Sequence, residues 1–358
     1  MSVNDAIMYI MAGGVLLGGL DHLFGNHFGL GNKFEEGFML LGTSALSMAG
    51  IICLAPFIAS FLGPAISPLY QFFGADPSMF ASVLALDMGG YPLAMELAKN
   101  AAVGAYSGII VASMLGCTMV FVIPVGLSMI EKEDQPYFAK GLMIGLATMP
   151  VGTVLGGMVA RLSFPLIVLN NIPILLLSIL LIVGLYKVPG KMVSGFVIFG
   201  TVIKKITIVG LMLSAFTSLT GIEVIKGMGA LEDAMKTVVN ICIVLLGSLP
   251  IAYLLQRLLE KPLRAIGRRL GMNSTSIAGI LISLVSTLPV FMMIKDMNPR
   301  GKIVCVSFFV ASGAVFGAHL GFTASMEPSL VPALIVAKLT GAISAILTAL
   351  FFTKKQRN

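Results

Sequence analysis

Two acidic side chains within a long apolar stretch carry the strongest chemical signal in the sequence. Asp87 ends one short apolar run, and Glu96 lies in the next one, beyond Pro92. An ionisable group at membrane depth is costly and marks a functional site by default. Asp87 also follows the carbonyl end of a predicted half-helix, which carries partial negative charge. The pattern favours a bound cation such as an ammonium near Asp87 and Glu96; the structural alternative is that Asp87 caps backbone amides or pairs with Lys99.

The turn beside Asp87 has the residue types of a ligand-binding tip, and we call residues 86–92 the first tip. Gly89 and Gly90 permit a tight turn and let a ligand approach the backbone closely. Pro92 suits the first turn of the helix that follows. Tyr91 lies between them, and we expect its ring to close over a bound solute.

A second interrupted stretch, residues 283–289, offers hydroxyl groups and no charge, and we call it the second tip. Ser283, Ser286 and Thr287 precede Pro289. These hydroxyls could bind a hydroxyl of the solute, or they could satisfy the backbone groups of a broken helix. Our hypothesis is that Ser286 or Thr287 binds the solute's hydroxyl.

Four further polar residues in apolar sequence are candidates. Asn170 and Asn171 precede Pro173, where they could bind a solute or repair the backbone that the proline interrupts. His319 and Glu327 lie late in another apolar run and are candidates for a proton relay.

Metal and catalytic signatures are absent from the sequence. The three histidines show no metal-ligand spacing, and the four cysteines lie in apolar runs without a C-x-x-C pair. No nucleophile elbow, phosphate-binding loop or dinucleotide-binding glycine pattern occurs in a suitable context. We therefore expect no catalytic residue, no metal site and no cofactor.

The composition specifies the class of protein that must position these residues. Hydrophobic residues make up 57% of the 358 residues and charged residues only 11%, whereas soluble domains are about 25% charged. Forty glycines also suit closely packed membrane helices. The net charge of +7 fits basic loops on the cytoplasmic side of a membrane better than binding to nucleic acid.

Apolar runs predict an all-α integral membrane protein with about nine transmembrane helices. A span needs about 20 apolar residues, and the predicted spans are 6–24, 37–62, 105–129, 139–160, 164–186, 192–221, 237–256, 303–325 and 331–352.

Two stretches, 77–99 and 274–297, are too interrupted to be simple spans. Each has about ten apolar residues, which rise about 15 Å as a helix, or half of a bilayer core. A break before a proline and a shorter apolar run then follow. We predict that both are re-entrant hairpins, with the two tips at the membrane midplane.

The hairpins belong to an apparent internal duplication. At one fixed offset Gly50 matches Gly247, and Asp76 matches Asn273; both polar residues are predicted helix N-caps. This predicts inverted structural repeats, a transporter signature, in residues 1–162 and 192–358, with a linking helix in 163–191. A competing register pairs Gly37-Phe38 and Gly42-Thr43 with Gly195-Phe196 and Gly200-Thr201, which would match the second span with the sixth.

Basic residues are unevenly shared between the two sides of this topology. The poorer side has only a few, namely Lys99, Arg161, Lys226, Lys236 and Lys338. Because basic loops stay in the cytoplasm, we predict an N-terminus outside and a cytoplasmic C-terminus.

Three long segments, 1–46, 73–98 and 271–291, resemble the ethanolamine-utilization permease family, and the resemblance covers essentially the whole chain. It implies a multi-pass protein of the bacterial inner membrane that brings ethanolamine to its catabolic pathway. The order of amphipathic helix, hairpin and span is also similar to that of concentrative nucleoside transporters, although our hairpin sidedness is opposite.

We therefore expect an ethanolamine permease that works by alternating access at the two tips. Asp87 and Glu96 would balance the ammonium. Membrane lipid is an expected partner, and a second copy of the chain is a further candidate. The alternatives are a transporter of another small amine or of a nucleoside-like solute, a passive channel, and, as different classes, a membrane enzyme or a sensor.

Overall fold

The computed structural model describes residues 3–84 and 90–353, which form helices and connecting turns without a strand. The α-helices are, in chain order, α1 (Val3–Leu23), α2 (Leu30–Phe72), α3 (Ala81–Leu84), α4 (Gly90–Leu97), α5 (Ala101–Ala105), α6 (Ile123–Met129), α7 (Gln135–Val159), α8 (Phe164–Lys187), α9 (Pro189–Thr220), α10 (Leu231–Arg269), α11 (Ser274–Ser283), α12 (Leu288–Met293), α13 (Pro299–Ser312), α14 (Ala318–Met326) and α15 (Val331–Phe352).

Shorter helical turns complete the fold. Two π-helical segments, Tyr106–Gly116 and Thr118–Val122, join α5 to α6. Four 3-10 turns lie before α3, before α7, after α12 and before α15, namely Pro77–Phe80, Lys132–Asp134, Ile294–Asp296 and Pro328–Leu330.

Eight helical stretches within the described residues are long and apolar enough to cross a membrane. They correspond to eight of the nine predicted spans, so the described residues have the all-helical architecture expected of a multi-pass membrane protein. The sixth predicted span, 192–221, is α9 with nearly the same bounds.

The predicted span 303–325 is not one helix. α13 ends at Ser312 and α14 begins at Ala318, and we call residues 313–317 the helix break. The amides of Ala314 and Phe316 in this break donate to the carbonyls of Ser283 and Leu284, each at 2.8 Å. These bonds replace the helical ones, so the chain leaves the helix within a predicted span without leaving its backbone groups unpaired.

Two helices run further than the sequence predicted. The second span and most of the amphipathic segment that follows it in sequence (64–73) form the single helix α2, which has 43 residues. In the same way, the seventh span and the basic segment 261–270 form α10. Prolines inside both helices are tolerated.

Glycines let the long helices approach backbone to backbone. A Cβ atom on Gly50 would lie 1.8 Å from the carbonyl oxygen of Thr207 in α9. A Cβ on Gly247 would lie 2.0 Å from the carbonyl oxygen of Met11 in α1. Small residues at such crossings are the usual means of packing membrane helices, and they fix α2 against α9 and α10 against α1.

The asparagine pair of α8 binds other helices. The Asn171 amide donates to the Tyr106 hydroxyl at 2.8 Å and accepts from the Thr153 hydroxyl at 2.7 Å. The Asn170 side chain accepts from the amide of Asp76 at 2.7 Å. Both asparagines are buried, and neither lines the cavity formed by the second tip. The geometry therefore gives them a structural role, in which they tie α8 to the π-helical segment and to α7.

Replacing Asn171 by Leu is expected to lower the free energy of unfolding by about 1–3 kcal/mol, because the buried hydroxyls of Thr153 and Tyr106 each lose a partner. Thermal unfolding in detergent measures the effect. Asn240→Leu, at an exposed position of α10, is the matched control and should change the midpoint little. Equal midpoints for the Asn171 variant and the unchanged protein would contradict a structural role for this amide.

Candidate functional site

A polar cavity lies where the second tip meets the helix break. Its volume is about 160 Å³. Apolar walls come from α2, α10, α13 and the π-helical segments. Its polar lining consists of Glu36, Ser113, Ser286, Thr287 and His319.

The second tip and the helix break pack as one unit. α11 ends at Ser283, and the hydrogen bonds from the helix break hold its last carbonyls. Gly317 makes the contact possible, because a Cβ there would lie 2.1 Å from the carbonyl oxygen of Val285. The turn that carries Ser286 and Thr287 is thereby fixed against the cavity.

The three predicted hydroxyls of this turn differ in availability. Ser283 is fully buried, and its hydroxyl donates to the carbonyl of Ile280 at 2.7 Å. Ser286 and Thr287 line the cavity, and neither hydroxyl has a hydrogen-bond partner within residues 3–84 and 90–353. These two hydroxyls can therefore bind a ligand without breaking a bond of the protein.

His319, a predicted relay candidate, lies in this cavity. It is 2% exposed, and its Nδ1 is 2.8 Å from the carbonyl oxygen of Gly313. A carbonyl only accepts, so Nδ1 carries a proton, and Nε2 of a neutral ring is an acceptor. His319 can accept a hydrogen bond from a ligand or pass a proton on.

Two lining residues were missed by the sequence reasoning. Glu36 is half-exposed and pairs with Lys33 at 2.6 Å, so by spacing it resembles an ordinary surface ion pair. Ser113 is buried in the π-helical segment and has no distinguishing neighbours in sequence. Glu36 places a carboxylate at the cavity, where it can bind a cation if it exchanges its partner Lys33.

The first tip lies partly outside the described residues, which do not include Asp87 and Gly89. Gly90 begins α4, and the Tyr91 hydroxyl donates to a carboxylate oxygen of Glu327 at 3.5 Å. The structure thus brings two predicted site residues together, at a distance from the second tip's cavity. Glu96 is exposed on α4 and does not line that cavity.

Comparison with known proteins identifies the family. The sequence profile described as "Ethanolamine utilisation protein, EutH" matches residues 3–352. A Listeria monocytogenes protein named "Probable ethanolamine permease EutH" is 41% identical over 99% of this chain and 95% of its own length. An Escherichia coli protein of the same name is 38% identical over 99% of this chain and 97% of its own.

A Bacillus subtilis protein named YxeR is also similar, at 42% identity over 99% of this chain and 96% of its own length. No solved structure matches the chain. The family profile and these relatives each cover nearly every residue, and the chain therefore belongs to the EutH family of ethanolamine utilisation proteins.

Proposed function

We propose that this chain is a permease that carries ethanolamine across a membrane. Relatives named as probable ethanolamine permeases align with almost its whole length. At the level of residues, the supporting observation is the polar cavity, in which the hydroxyls of Ser286 and Thr287 lack protein partners among the described residues. Such a pair suits a small solute that carries a hydroxyl.

The size of the polar cavity supports a small solute. A cavity holds one water molecule when the centre of a water-sized sphere can move within about 10–15 Å³. The corresponding volume of the polar cavity is about 160 Å³. Ethanolamine, with two carbons, one nitrogen and one oxygen, fits with room for water. A nucleoside-like solute is several times larger and would need the cavity to expand.

The charges around the cavity suit an ammonium group. Glu36 supplies a carboxylate at the rim, and His319 supplies a neutral acceptor inside. Asp87 and Glu96 remain part of the proposal on their sequence alone, as carboxylates that balance the ammonium when the first tip approaches the solute. Desolvating an ammonium requires such partners.

We further propose that transport proceeds by alternating access between two inverted repeats. The order of elements supports it, since the series α1 to α7 has a counterpart in α9 to α15, with α8 between them. Each series contains a long helix with internal prolines, α2 or α10. A pair of short helices with a turn between them follows, and then a span. The proposed boundaries are 1–162, 163–191 and 192–358.

Helix caps agree with the same pairing. The Asp76 side chain accepts from the amide of Ser78 at 2.9 Å, and the matching Asn273 accepts from the amide of Ser276 at 3.1 Å. Both caps also reach across to the end of the returning helix. Asp76 accepts from the amide of Asn100 at 2.9 Å, and Asn273 donates to the carbonyl of Asp296 at 2.8 Å. In this proposal each short pair is a re-entrant hairpin. The basic loops lie on the cytoplasmic side of the bacterial inner membrane, and the N-terminus lies outside.

A second space is the proposed route to and from the polar cavity. A groove of about 580 Å³ lies between α2, α6 and α9 and includes Thr43, Thr201 and Lys204. Phe121 lines both the groove and the polar cavity, so its ring lies between them. A water-filled groove would also explain an exposed lysine halfway along a membrane helix.

Uptake into proteoliposomes tests the proposed function. We expect labelled ethanolamine to enter with saturable kinetics and to show counterflow when the lumen contains unlabelled ethanolamine, because alternating access exchanges one solute for another. Liposomes without protein correct for passive entry. Protein-dependent uptake that neither saturates nor shows counterflow would indicate a channel, and displacement by nucleosides at equal concentration would contradict the substrate.

A further inference from the structure

Lys338 is a lysine buried inside the helical bundle. It lies in α15, one of the candidate membrane spans, and is 1% exposed. A basic residue that sets the topology is expected in an exposed loop, and the burial of Lys338 contradicts that position. Its Nζ donates to the carbonyl oxygens of Ser113 and Gly313, each at 2.9 Å. Within residues 3–84 and 90–353, no carboxylate pairs with it.

The two carbonyls come from irregular backbone. Gly313 opens the helix break, where helical bonding stops, and Ser113 lies in the π-helical segment. Carbonyls of unwound membrane helices are the groups with which transporters hold a coupling cation at the solute site. Here the lysine ammonium occupies that kind of position.

Lys338 lies directly behind the polar cavity. Ser113 and Gly313, which hold its ammonium, and His319, which shares the Gly313 carbonyl, all line that cavity. Two titratable groups among the described residues interact electrostatically with it, His319 from α14 and Cys117 from between the π-helical segments. The neighbouring helix α7 contributes a glycine here and no charged group, since Gly152 packs against the carbonyl of Ala337.

A cationic solute in the cavity would therefore meet a second positive charge, with which no carboxylate of the described residues pairs. Like charges close together in a poorly polarisable interior repel strongly. The solute cation and the Lys338 ammonium are therefore more stable when only one of them is present than when both are. Release of a proton from Lys338 to water that enters from the cavity removes the conflict and leaves a neutral amine, which still donates to a carbonyl.

We propose that Lys338 is a built-in exchange site, which gives up its proton when ethanolammonium binds and regains one when the solute leaves. This inference rests on the proposed function. Each cycle would carry one ethanolammonium inward and one proton outward, so that no net charge moves.

The test measures the response of uptake to an imposed membrane potential. A potential of about 100 mV, inside negative, changes the accumulation of a singly charged solute about 50-fold if it moves alone, and not at all in electroneutral exchange. For the unchanged protein, we expect the accumulation of ethanolamine to be the same with and without the potential. We expect it to change when a pH gradient is imposed. Lys338→Gln keeps donors for the two carbonyls but has no exchangeable charge, and its uptake should become dependent on the potential.

Two further variants support the interpretation. Lys338→Arg keeps a permanent charge and should fold but abolish uptake. Lys140→Gln removes an exposed lysine, also preceded by alanine, and should behave like the unchanged protein. If the unchanged protein shows saturable uptake that follows the potential, the exchange site is wrong while the permease stands. If it shows no saturable uptake, the proposed function itself fails. The response of the unchanged protein to the potential is measured without any variant. A variant that misfolds therefore does not affect this test.

Discussion

Replacing Lys302 by Met is expected to lower the free energy of unfolding by about 3–5 kcal/mol, because it leaves a buried carboxylate without its cation. Lys302, in the first turn of α13, forms an ion pair with Asp134 in the turn before α7. The two side chains are only 10% and 7% exposed. The Lys302 ammonium also lies 5.6 Å from the centre of the Tyr137 ring, so the same substitution loses a cation–π contact.

The double variant Lys302→Met with Asp134→Leu separates the charge from the packing. Replacing both partners of a buried pair by apolar residues is often neutral or stabilising, so the double variant should recover most of the loss. Arg264→Met breaks an exposed pair with Glu260, in which the side chains are 49% and 43% exposed, and should cost less than about 1 kcal/mol. Thermal unfolding in detergent compares the three. A double variant as unstable as the single one would show that packing, and not the unpaired charge, is responsible.

The membrane spans could be predicted from the sequence because burial in lipid leaves a long apolar signature. The helix break could not, since Gly313, Ala314 and Gly317 stand in a run as apolar as the helices on either side. What releases this segment from the helix is a pair of acceptors about thirty residues earlier, the carbonyls of Ser283 and Leu284. Such a partner is a property of the tertiary fold, and no local propensity reveals it.

In the candidate site too, residues marked by a local sequence pattern could be predicted, and residues brought in by tertiary packing could not. Ser286 and Thr287 were predicted because a break before a proline is visible in sequence, and the structure places them at a cavity. Glu36 and Ser113 were missed because they join that cavity only through packing of distant helices. Lys338 was counted with the basic residues of the poorer membrane side. Its burial depends on two carbonyls from other elements.

The hydroxyls of Ser286 and Thr287 are expected to make the protein prefer ethanolamine to ethylamine, which differs from it only in lacking the hydroxyl. A hydrogen bond between neutral groups contributes about 0.5–1.5 kcal/mol, and about 1.4 kcal/mol is tenfold in affinity. In the double variant Ser286→Ala with Thr287→Val, we therefore expect this preference to fall about tenfold. The measurement is the concentration of each amine that halves the uptake of labelled ethanolamine.

The matched control lies on the same turn. The Ser283 hydroxyl already donates to the carbonyl of Ile280 and is fully buried, so Ser283→Ala should leave the preference unchanged. Because preference is a ratio measured within one variant, a lower amount of folded protein does not alter it, and neither does a general loss of rate. A site that hydrogen-bonds its substrate rejects the analogue through its own unpaired groups, and removing those groups should make the two amines equivalent. If the double variant still prefers ethanolamine as strongly as the unchanged protein does, Ser286 and Thr287 do not bind the hydroxyl of the solute.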